Sequence, residues 1–290
     1  MKKNKLPILY RRTGGQKVVF CIAFVVMAIY AGLLLYPYIF GFLASLKAHG
    51  RAYMTDPVSV DWPLYFSNYG KAFKSLVVNG HTYPVLVFNS LWYSIVGQFL
   101  GMAASACSTY VISRYEFKGR DFWYNLVIIT MILPIFGTGA ASYKLYYQLG
   151  FVESPLLLVT CIGGICDLIL FAYFKGVPKE FSEAAEVDGA GHFRIFIQIV
   201  LPQVIGGLSV LFLSGLIGRW NDYSTPLLYL SKKYPTLATA MYIYEQEIIY
   251  SANQPVFFAG ALIAAVPPVV LFICLQDTLM TKVYLGGLKG

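Results

Sequence analysis

Long apolar stretches separated by short polar ones are the main pattern along this chain of 290 residues. A helix needs about 20 apolar residues to cross the hydrocarbon core of a bilayer. Six stretches predict such helices, the fifth only together with its flanks. They are Val18–Phe42, Val85–Ile112, Phe122–Tyr143, Pro155–Phe174, Pro202–Ile217 and Val256–Gln276. The pattern predicts an all-α polytopic membrane protein with six transmembrane helices.

The fifth stretch is the weakest of the six as a helix. Its apolar core is short, and with its flanks it contains four glycines, each of which lowers helix propensity. These are Gly206, Gly207, Gly215 and Gly218. Its span boundaries are therefore the least well defined by the sequence.

Composition agrees with a membrane protein and excludes several other classes. Charged residues make up 12% of the chain, about half the share in an ordinary globular domain, while hydrophobic residues reach 58%. Too little charge is left to cover a soluble surface, so a soluble enzyme, a nucleic-acid binder and a disordered chain are excluded. The five cysteines and three histidines show no metal-ligand spacing and predict no metal site.

The distribution of basic residues predicts the orientation in the membrane. With the N-terminus inside, 14 of the 22 Lys and Arg fall on the cytoplasmic side, as the positive-inside rule requires. Both termini are then cytoplasmic, with residues 1–17 as the N-terminal segment, 18–276 as the six-helix domain and 277–290 as the C-terminal tail. The first apolar run is about twice as long as the core of a signal peptide, which favours a retained helix.

The cytoplasmic loop 175–201 differs from the others in carrying four of the fourteen acidic residues of the chain. Pro178 is typical of a helix start, and Glu180 and Glu183 suit the positive end of the helix dipole. Asp188 and Gly189 form a turn signal that ends the helix. The loop therefore predicts a short amphipathic helix, a glycine turn and a return to the membrane at Pro202.

Seven positions of this loop resemble the EAA loop of ABC-importer permeases, at the spacing of that motif. They are Glu183, Ala184, Ala185, Gly189, Ile199, Leu201 and Pro202. In that family the loop forms a coupling helix that docks into a cleft of a cytoplasmic ATPase. The resemblance implies that these seven residues couple the chain to the ATPase, and that Ala184 and Ala185 allow its surface to approach closely.

The resemblance extends over most of the chain and is strongest to the carbohydrate-uptake branch. The Asn89-Ser90 pair, the segment 220–222 and the ending 286–290 are similar to permeases related to the smaller membrane subunit of the maltose transporter. This implies a bacterial cytoplasmic-membrane protein that imports a sugar or oligosaccharide. Its implied partners are a second permease, an ATPase dimer and an extracytoplasmic solute-binding protein.

The sequence contains no phosphate-binding loop of the form GxxxxGK[ST]. ATP and Mg are therefore expected on the partner ATPase, with no cofactor on this chain. No arrangement of nucleophile and base or of paired carboxylates surrounds Glu183, so the chain is predicted not to be an enzyme.

Polar residues inside predicted spans are candidates for the substrate pathway. Asp167 is predicted near the middle of the fourth span, where it hydrogen-bonds sugar hydroxyls or, as a protonated or paired carboxylate, locks two helices together. Asn89 and Asn221 are further candidates, and interhelical hydrogen bonds explain a buried amide equally well.

The sequence leaves two other functions open. One is import of a different solute, such as a glycerophosphodiester or a peptide. The other is secondary transport, although no internal repeat between the two halves supports it.

Overall fold

Helices form the regular secondary structure of this protein, as the sequence predicts. The computed structural model describes residues 14–60, 62–133, 137–163, 166–251 and 253–286, and within these ranges it contains no strand beyond one isolated bridge. Most of the predicted N-terminal segment 1–17 and the last four residues of the predicted tail 277–290 lie outside the described residues.

Thirteen α-helices follow one another along the described chain. They are α1 (Gly14–Ser45), α2 (Gly50–Thr55), α3 (Ser67–Ser75), α4 (Tyr83–Arg114), α5 (Arg120–Ile132), α6 (Gly139–Gln148), α7 (Leu168–Gly176), α8 (Glu180–Val187), α9 (His192–Ile195), α10 (Leu201–Asn221), α11 (Ser224–Tyr229), α12 (Leu237–Ser251) and α13 (Gln254–Gly286). A 3₁₀ segment, Pro155–Gly163, precedes α7, and a π-helical turn, Phe196–Val200, joins α9 to α10.

Four runs of helix in the described residues are long and apolar enough to cross a membrane. They are Gly15–Ser45, Tyr83–Arg114, His192–Asn221 and Gln254–Cys274. They coincide with the first, second, fifth and sixth apolar stretches of the sequence. The prediction of a multi-pass helical protein is thus confirmed.

Six continuous spans are not confirmed, because the third and fourth stretches each divide into shorter elements. The third becomes α5 and α6, and the 13 residues of α5 rise only about 20 Å, less than the hydrocarbon core. Gly137, which precedes α6, takes a left-handed φ of 82°, which an α-helix does not accommodate. The fourth becomes the 3₁₀ segment and α7.

The fifth span, which the sequence marks as weakest, is one of the long runs of helix. Two of its glycines lie where other side chains pack directly on the α10 backbone. A Cβ atom at Gly207 would come within 2.5 Å of the Tyr173 ring, and one at Gly215 would overlap the Gln98 amide. Small residues at helix contacts let backbones approach closely in membranes. These two glycines therefore serve packing, which helix propensity does not describe.

We expect Gly207→Val to destabilise the bundle, since its side chain must displace Tyr173 from α10. Overpacking of this kind costs about 1–3 kcal/mol, and thermal unfolding in detergent should show a lower midpoint. Gly218→Ala is the matched control, because a Cβ atom there meets nothing within 4 Å. An unchanged midpoint for Gly207→Val would contradict the close contact.

The buried side chains form separate clusters, and one of them supports the loop that follows α7. We call this cluster the inner core. It contains Ala106, Tyr110, Leu170, Phe174, Val177, Ala185, Ile195, Phe196, Val200 and Val204. Apart from Val177, which follows α7, its residues come from α4, α7, α8, α9, the π turn and α10. The loop therefore shares this core with α4, α7 and α10. By contrast, α1 packs mainly on α13 and leaves most of its apolar side chains exposed.

Candidate functional site

The loop between α7 and α10 contains α8, a helix of eight residues that begins two positions after Pro178. The Lys179 carbonyl accepts hydrogen bonds from the amides of Ser182 and Glu183 at 2.9 and 3.0 Å. Glu180 and Glu183 occupy the first turn, where a carboxylate interacts favourably with the helix dipole. A helix is present where the sequence predicts one, and both carboxylates are exposed.

Gly189 ends this helix with a left-handed φ of 79°. The Ala190 amide then donates to the Ala185 carbonyl at 2.9 Å, and the Gly189 amide donates to the Glu186 carbonyl at 3.0 Å. This pair of hydrogen bonds is the Schellman type of helix end. A Cβ atom at Gly189 would meet nothing within 4 Å, so glycine is favoured here by backbone conformation and not by space.

We expect Gly189→Ala to loosen the C-terminal turn of α8, because a left-handed residue with a Cβ costs about 1 kcal/mol or more. The Ala190 amide should then exchange with solvent about fivefold faster, as measured by hydrogen exchange and mass spectrometry. Gly191→Ala is the control, since Gly191 has an ordinary φ of −71° and open space around it. Equal exchange in the two variants would contradict a conformational role for Gly189.

The two central alanines of the motif face opposite ways. Ala185 is only 8% exposed and belongs to the inner core, whereas Ala184 is exposed on the outer face of α8. The small side chain at position 185 is therefore explained by packing inside this chain. Close approach of another protein, which the sequence suggests for both alanines, is structurally open only at Ala184.

Two large apolar side chains flank Ala184 on the exposed face of α8. Phe181 and Val187 lie three residues before and after Ala184, on the same face of α8, and are 52% and 88% exposed. Phe193 of α9 is 74% exposed and lines a groove beside the end of α4. We call Phe181, Ala184 and Val187 the loop apolar surface. Apolar groups clustered on an exposed polar loop are typical of a protein contact site.

Arg114, the last residue of α4, holds the start of this loop. Its Nη1 donates to the Val177 carbonyl at 2.7 Å, and its Nη2 donates to the Pro178 carbonyl at 3.4 Å and the Ser182 hydroxyl at 3.3 Å. One guanidinium thus joins the end of α4 to both the loop backbone and α8. The sequence marks Arg114 only as one of several cytoplasmic basic residues, so this contact was not predictable from it.

The last three motif residues lie where the loop re-enters the long helix. Ile199 and Leu201 are partly buried against the inner core, and Pro202 occupies the first turn of α10. The Leu201 amide donates five residues back, to the Phe196 carbonyl, in the π-helical turn. Because Pro202 lacks an N–H and its ring crowds the preceding turn, the helix widens just before it.

Asp167 lies at the start of α7 and not inside a continuous helix. Its Oδ1 accepts a hydrogen bond from the Leu170 amide at 2.8 Å, as an N-cap does, and its own amide donates to Thr109 Oγ1 of α4 at 3.0 Å. The sequence predicted neither this capping role nor the break before α7. A contact of this carboxylate with sugar stays a prediction.

Asn89 joins α4 to the segment that leads into α12. It is 4% exposed, its Nδ2 donates to the Pro235 carbonyl at 3.0 Å, and its Oδ1 accepts from Trp92 Nε1 at 3.3 Å. The neighbouring Ser90 Oγ accepts from the Leu237 amide at 2.7 Å. Asn89 and Ser90 thus hold α4 against the segment that leads into α12, and a role for Asn89 in the substrate pathway stays a prediction.

Asn221 ends α10, where its exposed Nδ2 donates to the Ile217 carbonyl at 3.0 Å. The adjacent Asp222 accepts from Tyr93 Oη and from the Ser224 hydroxyl and Thr225 amide. Burial alone would raise the pKa of Asp222, but these hydrogen bonds outweigh it and hold the pKa below its usual value. Asn221 is the only one of the three predicted pathway residues that is exposed, and its role also stays a prediction.

The long helices and the packed loop define this chain as an α-helical, multi-pass membrane protein with an ordered interhelical loop. Residues 77–283 match the family of binding-protein-dependent transport system inner membrane components. The chain belongs to this family, and the matched range contains α8 and all seven positions of the loop motif.

Several transport permeases are similar to this chain. AraQ, an arabinooligosaccharides transport system permease protein of Halalkalibacterium halodurans, is 30% identical over 70% of this chain and 73% of its own length. MdxG, the maltodextrin counterpart in Bacillus subtilis, is 33% identical over 70% and 74%. GanQ, a galactooligosaccharides permease protein of the same organism, is 27% identical over 92% and 95%.

A solved structure confirms the fold independently of close sequence similarity. It is a bacterial ABC transporter involved in the import of the acidic polysaccharide alginate, and its similar chain superposes with a TM-score of 0.72 at 19% identity. The superposition covers 93% of this chain and 99% of that one. At this identity the likeness applies to the fold alone.

Proposed function

We propose that this chain is one permease subunit of an ATP-driven importer for a sugar or oligosaccharide. The observation that carries the proposal is the ordered α8 loop, with the family motif built into its packing and an exposed apolar surface around Ala184. The oligosaccharide relatives support the substrate class. The chain is a non-catalytic membrane subunit, and a separate ATPase dimer binds ATP and Mg.

The loop apolar surface is the contact with that ATPase in this proposal. Closure of the ATPase dimer moves α8, and the shared inner core and the Arg114 contacts pass the movement to α4, α7 and α10. Access to the pathway then switches from outside to inside. All seven motif positions contribute, Ala184 and Glu183 at the surface and Ala185 and Ile199 by holding α8 on the bundle.

A second permease completes the pathway, so that this chain forms half of it. An apolar groove between α4 and α10 offers a surface against which apolar helices of that second permease pack in this proposal. The groove has a volume of about 410 Å³ and is lined by residues such as Phe99, Met102, Leu208 and Phe212. Both termini are cytoplasmic, and a solute-binding protein delivers the sugar on the opposite side.

Import of another solute is the alternative within the same family, and secondary transport is the alternative outside it. The maltodextrin, arabinooligosaccharide and galactooligosaccharide relatives favour sugar over a glycerophosphodiester or a peptide. An ordered loop that ends in an exposed apolar surface favours a soluble motor subunit over an ion-driven carrier.

The proposal is tested by expressing the chain with its genomic neighbours and purifying it from membranes. We expect a second permease and an ATPase to co-purify, and ATP-dependent uptake of an oligosaccharide into proteoliposomes supplied with the solute-binding protein. Transport activity of the chain alone, or uptake without ATP, would overturn it.

A further inference from the structure

Arg219 lies near the C-terminal end of α10, but its guanidinium points back into the helix bundle. Its Nε donates to Gln98 Oε1 at 3.3 Å and its Nη1 to Cys161 Sγ at 3.1 Å. Gln98 is at the midpoint of α4, so the cation sits inside the bundle at that level.

This positive charge is not neutralised by a carboxylate. Among the described residues, no acidic group lies within ion-pair distance of the guanidinium, and Nη2 donates to no acceptor. The nearby Asp222 is occupied by Tyr93, Ser224 and Thr225. An unpaired cation within a membrane span is costly and requires water or a bound partner.

Two glycines of α4 lie beside the guanidinium, at ordinary contact distance. A Cβ atom at Gly97 would lie 3.4 Å from Nη1, and one at Gly101 would lie 3.5 Å from Nη2. Gly215 in turn lets the Gln98 amide rest on the α10 backbone with its oxygen towards Arg219. The Gln98 amide therefore holds a half-buried guanidinium whose Nη2 is accessible and has no protein acceptor among the described residues.

We propose that this guanidinium binds the transported solute by donating to a pair of adjacent oxygen atoms. Vicinal hydroxyls of a neutral sugar and the carboxylate of an acidic one both present such a pair, and a planar guanidinium matches it with two parallel hydrogen bonds. Nη1 is available as well as Nη2, since a thiol sulfur is a weak acceptor. The proposal rests on the sugar-importer function proposed above, and it assigns one solute contact to a residue of this chain.

The test uses the purified complex of both permeases and the ATPase, without the solute-binding protein, so that binding to the pathway is seen directly. Saturation-transfer difference NMR is titrated with maltotriose, arabinotriose and trigalacturonate. We expect Arg219→Gln to raise Kd at least tenfold for the probe that binds, and Arg219→Lys to raise it less. If the group that Arg219 binds is a carboxylate, the Arg219 variants lose far more affinity for trigalacturonate than for the neutral probes. If it is a diol, the variants lose affinity for a neutral probe.

Lys232→Gln is the matched control, because it removes an exposed positive charge. The hydrogen bond of Lys232 to Glu153 is made by the backbone amide and not by the side chain. Complex yield and basal ATPase activity report whether each variant assembles, and Arg219→Lys keeps the charge should Arg219→Gln not assemble. An unchanged Kd in an assembled Arg219 variant would overturn the inference. The inference would also be overturned if the wild-type complex takes up a probe but shows no saturation transfer to it. Failure of the wild-type complex to take up any oligosaccharide would instead overturn the proposed function itself.

Discussion

Arg114→Ala is expected to reduce solute uptake at least tenfold while the chain still inserts and assembles. The variant loses the hydrogen bonds to Val177, Pro178 and Ser182 that join the end of α4 to the α8 loop. Hydrogen bonds from a charged donor contribute about 2 kcal/mol, equivalent to roughly a thirtyfold change in population. The loop would then move without moving α4, and ATP hydrolysis would be uncoupled from transport.

The measurement is the number of ATP molecules hydrolysed per solute imported in proteoliposomes. Arg120→Ala is the control, because Arg120 lies at the other end of the turn between α4 and α5. Its guanidinium donates to the Ile112 carbonyl and not to the α8 loop. Ser182→Ala removes one of the three contacts and should raise the ratio less than Arg114→Ala. A normal ratio in Arg114→Ala would show that α4 is moved by other contacts.

Ala184→Trp is expected to abolish binding of the ATPase, whereas Ala185→Trp is expected to destabilise the chain itself. An indole at the exposed position 184 stands in the middle of the loop apolar surface and blocks a closely fitting partner. At position 185 it must enter the inner core beside Phe174 and Val177, and overpacking there costs about 1–3 kcal/mol. Adjacent substitutions of identical size therefore produce different defects.

The two defects are separated by measuring chain abundance in the membrane and recovery of the ATPase with the purified chain. We expect normal abundance with at least tenfold less ATPase for Ala184→Trp, and reduced abundance for Ala185→Trp. Lys118→Trp places an indole on a different exposed turn, between α4 and α5, and should affect neither quantity. Full ATPase recovery with Ala184→Trp would remove the loop apolar surface from the proposed interface.

Sequence patterns predicted much of the fold because burial of apolar residues and local helix boundaries are encoded in short segments. The runs that contain α1, α4 and α13 are recognisable by length and hydropathy alone. The helix of the loop is equally local, since Pro178 and Gly189 mark its limits through their own backbone preferences. The third and fourth stretches divide into shorter elements, and a count of apolar residues does not register where backbone hydrogen bonding is interrupted.

Contacts between distant residues decided the remaining features. Glycines in α10 lower intrinsic helix propensity, yet Gly207 and Gly215 sit where Tyr173 and Gln98 press on the backbone. Asp167 and Asn89 resemble pathway residues by position, but their polar atoms are occupied by a helix cap and by the Pro235 carbonyl. Tyr173, Gln98 and Pro235 lie far from their partners in the sequence, so no local pattern reveals these contacts. The cap formed by Asp167 is local, but the apolar run around it predicts a continuous helix instead.

The sequence by itself determined that this chain spans a membrane by helices and carries a family-specific loop, because hydropathy and turn chemistry act over a few residues. Only the tertiary structure decided which way each side chain of that loop faces. Ala184 and Ala185 differ by about 100° around one helix axis, and the packing of α9 and the π turn against α8 makes one of them surface and the other core. The inward direction of Arg219 has the same origin, since its acceptors Gln98 and Cys161 lie far from it in the sequence.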